Sequence, residues 1–144
     1  MKEAGTFAIA WALALVIFGL IDAGWILLVA GPLYQVELGE VVPLGLDPLA
    51  AGLFYVVYTA GLTYFGLAPH RQELSARSRV TNAALFGLLT YSTWGLTLKA
   101  LVAGVSWQLV IGDIAWGTII CFLTTAICSW ILTRFSARNR TPPL

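Results

Sequence analysis

Charge is the scarcest commodity in this chain. Only 10% of its 144 residues are Asp, Glu, Lys or Arg, against roughly a quarter in soluble globular domains. A formal net charge of +1 gives no general electrostatic attraction for nucleic acid or an acidic substrate. Histidine occurs once, as His70 beside Arg71. That excludes a histidine-box di-iron centre, a haem with two histidine ligands from this chain, and a nucleophile paired with a histidine base inside a membrane. The two cysteines, Cys121 and Cys128, share a helix face but stand about 10 Å apart along its axis. That is too far for a disulfide, and both read as small apolar packing residues. No disulfide framework, metal cluster or glycine-rich phosphate loop is expected. No catalytic signature can be read, and no cofactor is called for.

What the chain has instead is apolar residues: 59% are hydrophobic and the mean hydropathy is +0.85. A bilayer-crossing helix needs about 20 consecutive apolar residues, and four runs meet that requirement. They predict helices over about 7–30, 49–67, 81–101 and 107–133, with Pro48 and Pro69 bounding the second. The runs lack the alternation of barrel strands, and hydrocarbon tolerates no unpaired backbone, so helix is the default. The expected fold is all-α: one domain over residues 1–144, an integral membrane four-helix bundle.

Basic residues orient it. Lys2, then Arg71, Arg77 and Arg79, then Arg134, Arg138 and Arg140 all fall on one side of a four-span topology, while residues 31–48 contain no Lys or Arg. The positive-inside rule therefore places both termini in the cytoplasm. The first apolar run is too long for a signal h-region and reads as an uncleaved anchor. Residues 31–48 read as a segment lying along the outer membrane surface, Gly104 and Ser106 as breakers of a tight hairpin, and 139–144 as a loose tail.

Two acids interrupt the apolar runs, Asp22 late in the first and Asp113 early in the fourth. An Asp near the middle of a span costs about 2.5–3.5 kcal/mol on insertion scales, so each needs a partner or a purpose. Opposite helix directions put both in the outer leaflet, with Lys99 of the third run at similar depth. Trp11, Phe18, Asp22 and Trp25 share one face. Tyr55, Tyr58, Leu62 and Phe65 share another, as do Thr90, Trp94 and Thr97, and Asp113 lies with Trp116. If these faces converge, Asp22, Trp25, Tyr58, Trp94, Lys99, Asp113 and Trp116 form an aromatic-walled polar pocket suited to a lipophilic ligand with a polar head. The competing reading is a polar clamp, in which each Asp binds Lys99, an indole N–H or a hydroxyl and fixes helix packing. Trp11, Trp25, Tyr34, Trp107 and Trp130 read equally as interfacial belt residues, and Gly19 with Ala23 as a close helix contact.

The order Asp22-Ala-Gly-Trp25, Tyr34, Leu38-Gly39, Leu53-Phe54-Tyr55, Tyr58, Gly61, Gly87, Tyr91-Ser-Thr93-Trp94, Leu96-Thr97 and Asp113-Ile-Ala-Trp116-Gly117 resembles a family of small bacterial inner-membrane proteins, domain of unknown function 2177. The resemblance spans roughly Phe18 to Ile120. It implies a multi-pass, four-helix protein of the bacterial inner membrane and carries no established activity. On the third helix this chain has Gly95 and Leu98 where the family pattern carries an acid and an asparagine. That departure tilts the expectation toward a non-catalytic accessory or packing subunit that contacts lipid, pigment or other membrane subunits. The alternative is an enzyme or carrier for a lipophilic small molecule, using Asp22 and Asp113.

Overall fold

The computed structural model describes residues 2–39 and 45–138, and all regular structure among them is helical. Four helices run in sequence. α1 is an α-helix over Lys2–Trp25, a π turn over Ile26–Ala30 and an α-helix over Gly31–Leu38. α2 is Pro48–Leu62, closed by a second π turn at Thr63–Leu67. α3 is Ala76–Leu101 and α4 is Trp107–Arg138.

Three are both long and apolar enough to cross a membrane: Ala4–Leu38, Pro48–Leu67 and Trp107–Phe135. At 26 residues, α3 has the length, but Thr90, Tyr91, Ser92, Thr93 and Trp94 in its middle lower its hydropathy.

Helix ends follow local chemistry. Asp47 caps α2, its Oδ1 accepting from the Leu49 and Ala50 amides at 2.9 and 3.1 Å, with Pro48 at the first helical position where no amide is missed. The Ser75 hydroxyl accepts the Ser78 amide and starts α3, several residues earlier than the apolar run suggests. Between α3 and α4, Gly104 takes φ +93°, the left-handed conformation that glycine adopts without a Cβ clash, and the chain turns as the breakers predict. The α2–α3 turn is closed by Arg79, whose guanidinium donates to the Ala68 and Arg71 carbonyls at 2.8 and 2.7 Å.

The segment expected to lie along the surface does not begin at Gly31. α1 continues as helix to Leu38, and the rest of that stretch, Glu40 to Leu44, lies outside the described residues, as does the tail from Asn139. The continuation starts at a π turn just before Pro32. Proline has no N–H to offer the Leu28 carbonyl, and the turn widens so that the Gly31 amide bonds to the Ile26 carbonyl, five residues back. A Cβ on residue 31 would lie 2.8 Å from that carbonyl oxygen, so the wide turn fits glycine there.

The bundle is up-down-up-down, with core clusters stacked at three levels. Ala10, Ala14, Leu67 and Cys128 pack together at the end carrying the chain termini. Phe18, Leu62, Ala83, Ile120 and Cys121 fill the middle. Leu38, Val105, Leu109 and Val110 close the opposite end. α3 and α4 approach most closely: a Cβ on Gly87 would stand 2.2 Å from the Gly117 carbonyl oxygen, the backbone contact that small residues permit in membrane bundles. Gly19 and Ala23 do not serve this purpose, since nothing lies near a Cβ built on Gly19 and Ala23 is exposed. Phe65, within the widened turn at 63–67, is exposed but stacks on Phe86, the ring that Tyr58 of the same stripe also meets. Four buried hydroxyls, those of Thr63, Thr124, Thr125 and Ser129, have no hydrogen-bond partner.

Candidate functional site

Among the described residues Asp22 and Asp113 are the two buried acids, 3% and 8% exposed, and both line one cavity of about 590 Å³. Each carboxylate is held by donors from other helices. Asp22 accepts from Trp116 Nε1 on α4 through Oδ1 and from the Tyr55 hydroxyl on α2 through Oδ2, each at 3.0 Å. Asp113 accepts from the Tyr34 hydroxyl through Oδ2. Tyr34 in turn accepts from Trp94 Nε1 at 3.3 Å, so one phenol joins α1, α3 and α4 across the top of the cavity. Asp113 Oδ1 has no hydrogen-bond donor from the protein, and Asp113 itself lines the cavity.

The π turn creates this roof. Twelve residues separate Asp22 from Tyr34, which on a regular helix would place them about 120° apart around the axis. A π turn inserts about one extra residue, rotating the following helix back by about 100°. Tyr34 thereby returns to within about 20° of the Asp22 face. The same rotation aims Glu37 at the start of α4, where its carboxylate accepts from the Ser106 amide at 3.0 Å and the Ser106 hydroxyl at 2.5 Å. A negative charge there meets the positive end of the α4 dipole.

Below the roof the walls are rings. Trp25 stacks on Trp116 with centroids 4.4 Å apart and planes 8° from parallel. Tyr58 packs against Phe18, Phe54, Phe86 and Tyr91, with its hydroxyl 2.9 Å from Thr90 Oγ1 and 3.2 Å from Cys121 Sγ. The upper part of α2 barely touches α3, whereas its terminal π turn packs firmly against that helix. The two helices therefore part toward the top, and the gap is bordered by Phe54 and Trp94, both cavity-lining and 41% and 55% exposed. The cavity opens sideways, toward what would be lipid.

Of the residues expected from sequence, Asp22, Trp25, Tyr58, Trp94, Asp113 and Trp116 line this one cavity. Lys99 does not. Its ammonium donates to the Val105 carbonyl at 2.6 Å and lies 5.7 Å from the Trp107 ring centre, closing the α3–α4 turn instead of answering either carboxylate. The basic partner of the clamp reading is thus replaced by indole and phenol donors. Trp11 Nε1 donates to Thr59 of α2 at 3.0 Å. Sequence reasoning placed Tyr34 in the belt and Glu37 in a surface segment; the only signal that could have moved them is the Gly31-Pro32 pair at the wide turn. The described residues bring no three His, Cys, Asp or Glu together.

A family model described as "Predicted membrane protein (DUF2177)" matches residues 7–130. The chain belongs to this family. The matched segment contains every cavity residue of this DUF2177 protein, from Asp22 to Trp116. No curated protein and no solved structure matches it. It is a multi-pass, all-α membrane protein.

Proposed function

We propose that this DUF2177 protein binds a lipophilic small molecule in the cavity between its helices, as a membrane-embedded binder or carrier. The observation that carries the reading is the cavity itself: about 590 Å³, walled by aromatic rings, holding two buried acids and opening sideways at Phe54 and Trp94. Ligand sites are concave, largely apolar and furnished with few polar groups, and a side opening suits a molecule that arrives through lipid. In this reading the chain crosses a bacterial inner membrane four times, with both ends and the Arg71–Arg79 turn in the cytoplasm. The cavity then lies in the outer leaflet. A polyisoprenoid, a pigment or a lipid with a small head would fit such a site.

A second reading keeps the notion of a non-catalytic packing subunit within a larger complex. It is favoured by the bonds from Asp22 to both Tyr55 and Trp116, which tie α1 to α2 and α4 as a structural clamp would.

The two separate in one experiment. The wild-type protein and an Ala30→Trp variant, which fills the cavity from α1, are extracted in mild detergent and their bound small molecules and proteins identified by mass spectrometry. A binder retains a lipophilic molecule near one per chain, which the variant loses. A subunit co-purifies stoichiometric protein partners and shows no small molecule sensitive to Ala30→Trp.

A further inference from the structure

The polar complement of the cavity has one sign. Among the described residues two carboxylates line it and no Lys, Arg or His does; Lys99, expected there from the sequence, is bonded to the Val105 carbonyl. Asp22 has a donor on each oxygen, but Asp113, 8% exposed, has a donor only on Oδ2. No protein donor pairs its Oδ1, and Asp113 lines the cavity. Asp113 is a buried residue, and a carboxylate there is costly to leave half-matched; of the neighbouring donors, Trp94 and Trp116 spend their N–H groups on Tyr34 and Asp22, and the Tyr58 hydroxyl lies against Thr90 and Cys121.

What those rings still offer is their faces. The face of an aromatic ring is the negative part of its quadrupole, and a cation within about 6 Å of the ring centre is attracted to it, more strongly when water is excluded. Acid oxygens and ring faces thus favour the same ligand charge. An anionic head would meet repulsion from both carboxylates. A neutral hydroxyl would satisfy Asp113 and gain little from the rings.

We propose that the cavity selects a lipophilic cation, an amine or quaternary ammonium whose charged end sits beside Asp113 among the indole and phenol rings while its apolar tail leaves between Phe54 and Trp94. This rests on the binding role proposed above and adds the chemistry of the ligand. The two carboxylates have separate parts in it: Asp22, satisfied on both oxygens, positions Trp116 and Tyr55, and Asp113 meets the charge.

The test uses the full chain in phosphatidylcholine nanodiscs, titrated with dodecyltrimethylammonium, dodecanol and dodecanoate and followed by tryptophan fluorescence. The expected result is dodecyltrimethylammonium binding at least tenfold more tightly than dodecanol, with dodecanoate weakest. Asp113→Asn should abolish that preference and Glu73→Gln, outside the cavity, should keep it. Equal or tighter binding of dodecanol or dodecanoate by the wild-type protein overturns the charge assignment without any variant. If Ala30→Trp then excludes all three probes, the cavity still binds lipophilic molecules and only its charge preference is lost. If Ala30→Trp excludes none of them, the binding role fails together with the inference.

Discussion

Deleting Leu28 and replacing Pro32 by alanine converts the π turn of α1 into regular helix without leaving a proline clash. The helix beyond the deletion then swings by about 100°, and Tyr34 and Glu37 turn away from their partners. Four contacts go with them: Tyr34 to Asp113, Trp94 to Tyr34, and Glu37 to the Ser106 amide and hydroxyl. Hydrogen bonds between helices of a membrane protein average about 0.6 kcal/mol and reach about 1.7. The loss should therefore be about 2.5 kcal/mol, and more if the two bonds to the Glu37 carboxylate act as charge-assisted ones. Tyr34→Phe removes only the two phenol contacts and should cost about half as much. Reversible unfolding in mixed micelles, by titration with sodium dodecyl sulfate, measures both. The sign is diagnostic, because a regular helix is intrinsically better than one with a π turn. If the deletion raises stability or leaves it unchanged, the turn does not exist to aim Tyr34 and Glu37, and the account of the roof is wrong.

Other expectations are as direct. Gly87→Ala forces a methyl against the Gly117 carbonyl, a backbone atom that cannot rotate away, and should cost about 1–3 kcal/mol in the same titration. Gly112→Ala, where a Cβ meets open space, should be neutral or stabilise by up to about 1 kcal/mol. Thr125→Val removes a buried hydroxyl with no partner and should raise stability by roughly 1 kcal/mol; a loss of similar size would mean that the hydroxyl is bonded, for instance to a buried water. Asp22→Ala strands the Trp116 and Tyr55 donors and should lower detergent stability by about 1–3 kcal/mol, whereas Asp22→Asn keeps one acceptor and should fall between it and wild type.

The four helices were legible because hydrocarbon demands length and apolarity, and the chain supplies both in four runs bounded by Pro48, Pro69 and Gly104. The meeting of Asp22, Trp25, Tyr58, Trp94, Asp113 and Trp116 was also legible, because within regular helix a face follows from spacing alone. The same reasoning stopped where the period changed. The apolar run ends near Ala30, so residues 31–38 read as a surface segment, whereas the wide turn at Ile26–Ala30 carries the helix on to Leu38 and brings Tyr34 and Glu37 to Asp113 and Ser106. Lys99 failed differently: depth brought it near the acids, but the free carbonyl of Val105 just past the end of its own helix was nearer. Gly19 and Ala23 show that small residues one turn apart permit a close contact without requiring one.

The central claim is a cavity shared by Asp22 and Asp113 and reached sideways from lipid. Photolabelling in nanodiscs tests it most directly, with a neutral alkyl diazirine carried in the bilayer and labelled residues read by peptide mass spectrometry. Adducts are expected on the cavity wall, at Ile26 and Ala30 of α1 and at Tyr91 and Trp94 of α3, as well as on outward residues such as Val57 and Ile119, with labelling at Ala30 abolished in a cavity-filled Thr90→Trp variant. Adducts confined to Val57, Ile119 and other outward residues, with the cavity wall unlabelled, would contradict it.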